Sequence, residues 1–255
     1  MMLQDVMIYR ADFVSRSISW IVRFLISAYL WISILNSEGS LLGYDIPKML
    51  SYFLLIQIVF SFVSSGAGFQ VASDIQSGEL STKMVVPVDY ILLYMAKEIG
   101  RNIFFFIFNL FLYVGTILIF PDYFQINTSI LHIALAMISM FFGFLIIFCL
   151  TFMIGMLAFW ISHASRLIFT FFALITFLSG LIIPLEFFPE NLKKIIDLSP
   201  FPYLFYFPTH IMQIDSIGTE IFYGFLIQIS YSILLTFLTY FIFNIGLRKY
   251  EAVGR

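Results

Sequence analysis

Residues 130–161 read ILHIALAMISMFFGFLIIFCLTFMIGMLAFWI, 32 positions without one Asp, Glu, Lys or Arg. A helix of about 20 such residues crosses the hydrocarbon core of a bilayer, so this stretch predicts a membrane-embedded chain. The remainder agrees. Of 255 residues, 61% are apolar, 20% aromatic and only 11% charged, with a mean hydropathy of +1.00. Soluble domains carry roughly a quarter charged residues; 13 basic and 15 acidic side chains cannot cover a globule of this size. The net charge of -2 excludes an electrostatic nucleic-acid binder, and the low charge content argues against a disordered chain. One cysteine, Cys149, excludes a disulfide framework or a thiolate metal cluster within the chain.

Working outward from 130–161, five further apolar stretches appear, at about 17–35, 48–71, 102–120, 167–183 and 221–247. The expected fold is therefore an all-α integral membrane protein, with residues 1–255 as a single transmembrane domain of six transmembrane helices. Short loops rich in Lys and Arg stay in the cytoplasm. The N-terminus, the loops after spans 2 and 4, and the C-terminus hold ten basic residues. The opposite side holds three, Lys48, Lys193 and Lys194. Both termini are expected inside. Asp5, Arg10, Asp12 and Arg16 before the first apolar run argue against a cleavable leader. Leu3, Val6, Met7, Phe13 and Val14 recur between those polar residues at helical spacing, which suggests an amphipathic helix over residues 1–16 lying in the interface; the alternative is a solvated tail.

No GxxxxGK[ST] phosphate loop, HExxH helix, GxSxG elbow or GxGxxG fingerprint occurs, so the chain lacks the parts for ATP hydrolysis and common hydrolase chemistry. We expect a non-catalytic chain, with no catalytic residues and no metal site. His132, His163 and His210 are scattered rather than grouped as metal ligands. Ionisable groups are nearly absent from the expected spans. Arg23 lies one to two turns into the first, where snorkelling to the headgroups accounts for it.

Two loops exceed what a connector needs. Residues 72–101 read ASDIQSGELSTKMVVPVDYILLYMAKEIGR. Ser77 and Gly78 can break a helix, Pro87 restricts Val86, and Asp89 can cap a new helix beginning after it. The expectation is a short helix, a turn and a second helix along the membrane, with an amphipathic loop lacking any partner as the plain alternative. Residues 179–216, SGLIIPLEFFPENLKKIIDLSPFPYLFYFPTHIMQIDS, hold five prolines and many apolar residues. Pro184 is expected to break the fifth span. Irregular backbone cannot face lipid, so this segment must re-enter against other spans or lie at the outer interface. It reads as a cap or outer gate; an aromatic interface belt is the alternative.

At these residues the sequence resembles the permease subunits of type-2 ABC exporters, in the six-span branch. The resemblance runs over nearly the whole chain and rests on DIQSGEL (Asp74 to Leu80), VVPVDY (Val85 to Tyr90), SGLIIPLEFFP (Ser179 to Pro189), SPFPYLFYFP (Ser199 to Pro208) and GLRKYEAVG (Gly246 to Gly254). The chain departs from the family's pattern where a basic residue is preferred near Gln76 and Leu-Leu-Arg before the proline, and at Arg255, where a second closing glycine is usual.

The resemblance implies an export pathway between two permeases, each resting on a separate cytoplasmic ABC ATPase, two copies per complex. ATP and Mg would be bound by that partner, and no cofactor by this chain. The N-terminal helix with Arg10 and Arg16 would be the interface helix. Asp74, Ile75, Gly78, Glu79 and Leu80 would form the coupling helix in an ATPase groove, with Ile75 and Leu80 as apolar contacts and Asp74 and Glu79 facing basic partners. Gly180, Pro184, Phe187, Phe188, Pro189, Pro200 and Phe201 would belong to re-entrant external helices between spans 5 and 6. The second permease is a copy or a relative, with a lean to a heterodimer, in the inner (plasma) membrane of a bacterium. A cavity of Phe, Leu, Ile and Ser without a buried charge pair suits an amphipathic or lipid-like cargo. A non-transporting accessory that binds lipid or another subunit is the alternative. A secondary carrier is disfavoured by the missing midplane charges.

Overall fold

The computed structural model describes residues 21–37 and 39–250; the interface-helix expectation at Arg10 and Arg16 lies outside them. Among the described residues ten α-helices run in order. They are α1 (Ile21–Ser37), α2 (Ile46–Val63), α3 (Ala67–Ser77), α4 (Glu79–Met84) and α5 (Tyr90–Ile119), then α6 (Ile130–Met156), α7 (Ala164–Leu178), α8 (Glu190–Asp197), α9 (Tyr206–Ile211) and α10 (Thr219–Leu247). Four apolar helical stretches are long enough to cross a membrane: α2 with α3, α5, α6 continued by a 3-10 turn to Phe159, and α10. Helices α1 and α7 are apolar but shorter, at 17 and 15 residues. Among the described residues there is no strand, only an isolated bridge between Leu41 and Tyr44 around a tight turn.

Helix α6 is the axis of the bundle. It packs against α10, α3, α9, α2 and α7, and Phe144, Phe148 and Phe152 stack down its buried face at i, i+4 spacing. Glycines let its neighbours approach: a Cβ on Gly155 would lie 2.4 Å from the Gly68 carbonyl oxygen of α3. Small residues where helix backbones meet are the usual means of close packing in membranes. Toward the α9 end, buried Gln228 of α10 donates to the carbonyls of Ser139 and Tyr203 and accepts from the Ser139 hydroxyl.

Three expected boundaries move. The apolar stretch 48–71 is two helices meeting at Ser64–Ser65–Gly66, since serine and glycine hold the i to i−4 ladder weakly and side chains replace it. Asn102 of α5 donates to the carbonyls of Phe62 and Ser64 (2.7 and 2.6 Å), and Glu98 accepts from the Gly66 amide (2.8 Å). The stretch expected to begin at Asn102 instead begins at Tyr90, so the helix capped by Asp89 is not a separate short helix but runs on into a 30-residue α5. At 1.5 Å per residue, α5 is about 45 Å long against roughly 30 Å of hydrocarbon, leaving several turns to project. The fifth stretch ends at Leu178, six residues before Pro184. Gly180, at φ +85°, turns the chain there, a conformation other residues resist.

Asn102→Leu should leave two carbonyls at the break without donors and destabilise the fold by about 1–3 kcal/mol. A melting temperature equal to that of the parent in detergent would refute this account of the break.

Candidate functional site

The DIQSGEL segment is the hinge between α3 and α4. Gly78 ends one helix and starts the next at φ +81°, with open space around the position a Cβ would take, so its role is conformational. Ser77 Oγ accepts from the Glu79 amide at 3.4 Å, and Ser81 donates to the Gly78 carbonyl at 2.8 Å. Asp74 fixes the fold-back. Only 3% exposed, it accepts from the Tyr90 hydroxyl (2.7 Å), the Tyr94 hydroxyl (2.5 Å) and Lys83 Nζ (2.5 Å), tying α3, α4 and the start of α5 together. Burial opposes the charged form of Lys83, but its hydrogen bonds to Asp74 and Tyr94 outweigh that and raise its pKa above the ordinary 10.5.

The segment therefore has two sides. Asp74, Ile75 and Leu80 face inward; Leu80 is fully buried in the main core. Glu79 faces outward, half-committed to Lys83 at 3.3 Å, and Gly78 lies at the surface. The outward apolar surface beside the hinge lies outside DIQSGEL, in Met84 and the VVPVDY piece that follows it. Met84, Val85, Val86 and Val88, flanking exposed Pro87, project between α4 and α5, and Val85 is 83% exposed. Its signal was legible: consecutive apolar residues around a proline in a loop, where no helix periodicity can bury them.

Glu98 and Arg101 correct the expectation of a cavity without a buried charge pair. Because α5 starts at Tyr90, they fall within it. Glu98 is 1% exposed and Arg101 Nη2 lies 2.5 Å from its carboxylate, at the break that Glu98 also caps.

At the opposite end of the bundle, residues 179–216 fold over α2, α6 and α10. Tyr52 of α2 donates to the Gly180 carbonyl at 2.7 Å, and a Cβ on Gly180 would sit 2.6 Å from that hydroxyl. Pro184 is buried and precedes a 3-10 turn, Leu185–Phe187. Glu186 in that turn accepts from Tyr44 (3.2 Å) and from Tyr206, joining the α1–α2 turn to α9. Phe187 packs edge-on to Trp31 (4.9 Å), Phe188 against Phe177 (5.2 Å) and Phe201 against Phe171 (6.0 Å). Pro189 is exposed and starts α8, while Pro200 is half-buried in the turn after it. The seven residues thus do not converge on one point; they seat successive pieces of the cap on different helices.

No group of three metal-ligating side chains occurs among the described residues. The family described as ABC-2 family transporter protein matches residues 17–254, nearly the entire chain. The chain belongs to the ABC-2 transporter family. This ABC-2 permease is accordingly a multi-pass membrane component of transport that associates with an ABC ATPase. No curated protein is similar enough to the ABC-2 permease to match it.

Proposed function

We propose that this ABC-2 permease is one membrane half of an ATP-driven exporter, with six spans, both termini in the cytoplasm and the bacterial inner membrane as its site. The observation that carries this reading is the α3–α4 hinge with the apolar tip beside it. Asp74 holds the hinge rigidly to α5, while Glu79 and the Met84–Val88 tip stand free of the chain's own core. A surface of that kind suits a groove on a cytoplasmic ATPase, two copies of which would serve two permeases, this chain and a relative. ATP and Mg belong to that partner, and this chain binds no cofactor and performs no catalysis.

Nucleotide state can drive transport only if the ATPase contacts the tip differently in its two states. The tip is joined to α3, and α3 to α6 through Gly68 and Gly155, so a push at the hinge moves helices as rigid bodies rather than bending them. The cap over residues 179–216 would close the pathway from outside, and the cargo would be amphipathic or lipid-like.

Mild-detergent purification of the tagged protein from its native membrane should retain an ATPase in stoichiometric amount, and mass spectrometry of the bands shows whether the second permease is identical. Glu79→Lys should weaken ATPase retention or its stimulation about tenfold, a change worth about 1.4 kcal/mol. Gly78→Pro, which cannot hold φ +81°, should abolish coupling while leaving the spans folded. Normal coupled transport by both variants would sink the coupling assignment. Recovery of the protein alone and well folded would favour a non-transporting accessory.

A further inference from the structure

A cleft of about 400 Å³ opens where α2 breaks into α3, walled by α5 and by Phe172 of α7. Sites for small molecules have volumes of this order. The polar lining gathers at the break: Ser61 and Ser64, Gln70 of α3, and Arg101, Asn102 and Asn109 of α5. Asn102 and Asn109 are buried at its floor side and Gln70 is exposed at its rim. Besides Ser65 and Gly66 at the break, the rest is aromatic, from Phe60, Phe69, Phe105 and Phe172.

The polar faces continue beyond the cleft. Gln57 lies one turn from Ser61 and Tyr113 one turn from Asn109. Both are buried, and neither Gln57 Oε1 nor the Tyr113 hydroxyl has a hydrogen-bond partner among the described residues. Neither lines the cleft itself, and the charge of Arg23 acts on Tyr113, so the two extend its polar stripe along α2 and α5 without belonging to the lining.

Charge decides the class of ligand. Arg101 Nη2 donates to Glu98 at 2.5 Å, so the cleft's cation is already offset by a carboxylate held in place by the Gly66 amide. What remains of the lining carries no net charge, and because Ser61, Asn102 and Asn109 already donate to backbone carbonyls it presents mainly amide and hydroxyl acceptors. Such a lining cannot compensate the desolvation of an anion, whereas hydroxyls, which both donate and accept, match it. The four phenylalanines provide a wall for an apolar chain.

We infer that this cleft binds a single-chain amphipath with an uncharged, hydroxyl-bearing head, the head against Ser61, Ser64 and Asn109 and the chain along the phenylalanines. Asn102 lines the cleft and also holds the Phe62 and Ser64 carbonyls, so occupancy stiffens the break from which the α3–α4 arm extends. This deepens the permease reading by naming a ligand class, although binding itself requires no ATPase.

The test is photolabelling of the full-length chain in phosphatidylcholine nanodiscs with a monoacylglycerol carrying a diazirine in its chain, followed by mass spectrometry of labelled peptides. Labelling should concentrate in residues 60–70 and 101–109 and fall about fivefold in both Asn109→Leu and Ser61→Ala. Unlabelled monoacylglycerol should compete about tenfold better than lysophosphatidic acid of the same chain, a difference near 1.4 kcal/mol. Labelling spread over lipid-facing helices, or indifferent to both variants, overturns the site. Equal or stronger competition by the anion overturns the uncharged head. A chain that labels as expected but retains no ATPase keeps the cleft and loses the exporter reading; one that retains the ATPase but fails to label does the reverse.

Discussion

Gly68→Leu is expected to destabilise the protein by about 3 kcal/mol, the upper end of what overpacking a tight contact costs. A Cβ at residue 68 would lie 2.3 Å from the Thr151 carbonyl oxygen and 3.0 Å from its carbon. Both are backbone atoms of α6, with no flexible side-chain end to move aside, and the reciprocal approach at Gly155 is equally close. The helices must separate, which strips contacts along the whole α3–α6 seam. Thermal unfolding of the detergent-solubilised protein reads the effect. Gly115→Ala in α5 is the control: nothing lies within 4 Å of that Cβ position, so the change should be neutral or slightly stabilising through helix propensity. Parent-like melting of Gly68→Leu would show that α3 does not rest on α6 by backbone contact.

Asp74→Ala is expected to cost a similar amount, about 3 kcal/mol, because it leaves two tyrosine hydroxyls and a lysine without their shared acceptor. The figure sits at the low end for a broken buried pair since the Lys83 side chain is 30% exposed and can turn to water. The loss should be local. Hydrogen exchange of α4 should accelerate while α6 and α10 keep their protection; uniform loss, or none, would contradict a clamp at Asp74. The pH response has a defined sign. A basic group whose folded pKa is raised contributes stability that is fully present below its unfolded value and is lost as pH climbs through the folded one. For Lys83 that ordinary value is 10.5, so its contribution is flat across neutral pH and fades only in strong alkali. Loss of α4 protection between about pH 7 and 9 would exclude Lys83 as the cause.

Much of the helix content was legible in the residues. Ile130–Met156 and Thr219–Leu247 match their apolar runs to within a few positions, because a backbone leaving water must satisfy its own hydrogen bonds and an uncharged run can do so only as a helix. Asp89 as a cap was also readable: its side chain accepts from the Leu92 amide. The length of the helix it caps was not, because Lys97, Glu98 and Arg101 look like a loop in a hydropathy reading. Arg101 is matched by Glu98 one turn away, and Glu98 by an amide 32 residues distant, which no local window contains. The candidate site was half legible. DIQSGEL marked the hinge and Gly78 its pivot, but Asp74, Ile75 and Leu80 looked as available as Glu79 until Tyr90 and Tyr94 folded over them.

The sequence by itself determined that this is a helical membrane chain, where its longest helices lie, and that it lacks the phosphate loop needed to hydrolyse ATP, since hydropathy, charge and motif are local properties. Only the tertiary structure decided which face of the hinge points outward, that the second apolar stretch is broken at Ser64–Gly66, and that a charge pair sits beside that break. Each of these depends on partners far apart in the chain. A buried carboxylate or an interrupted helix is tolerated only when distant groups complete its hydrogen bonds, and which groups those are is a matter of packing.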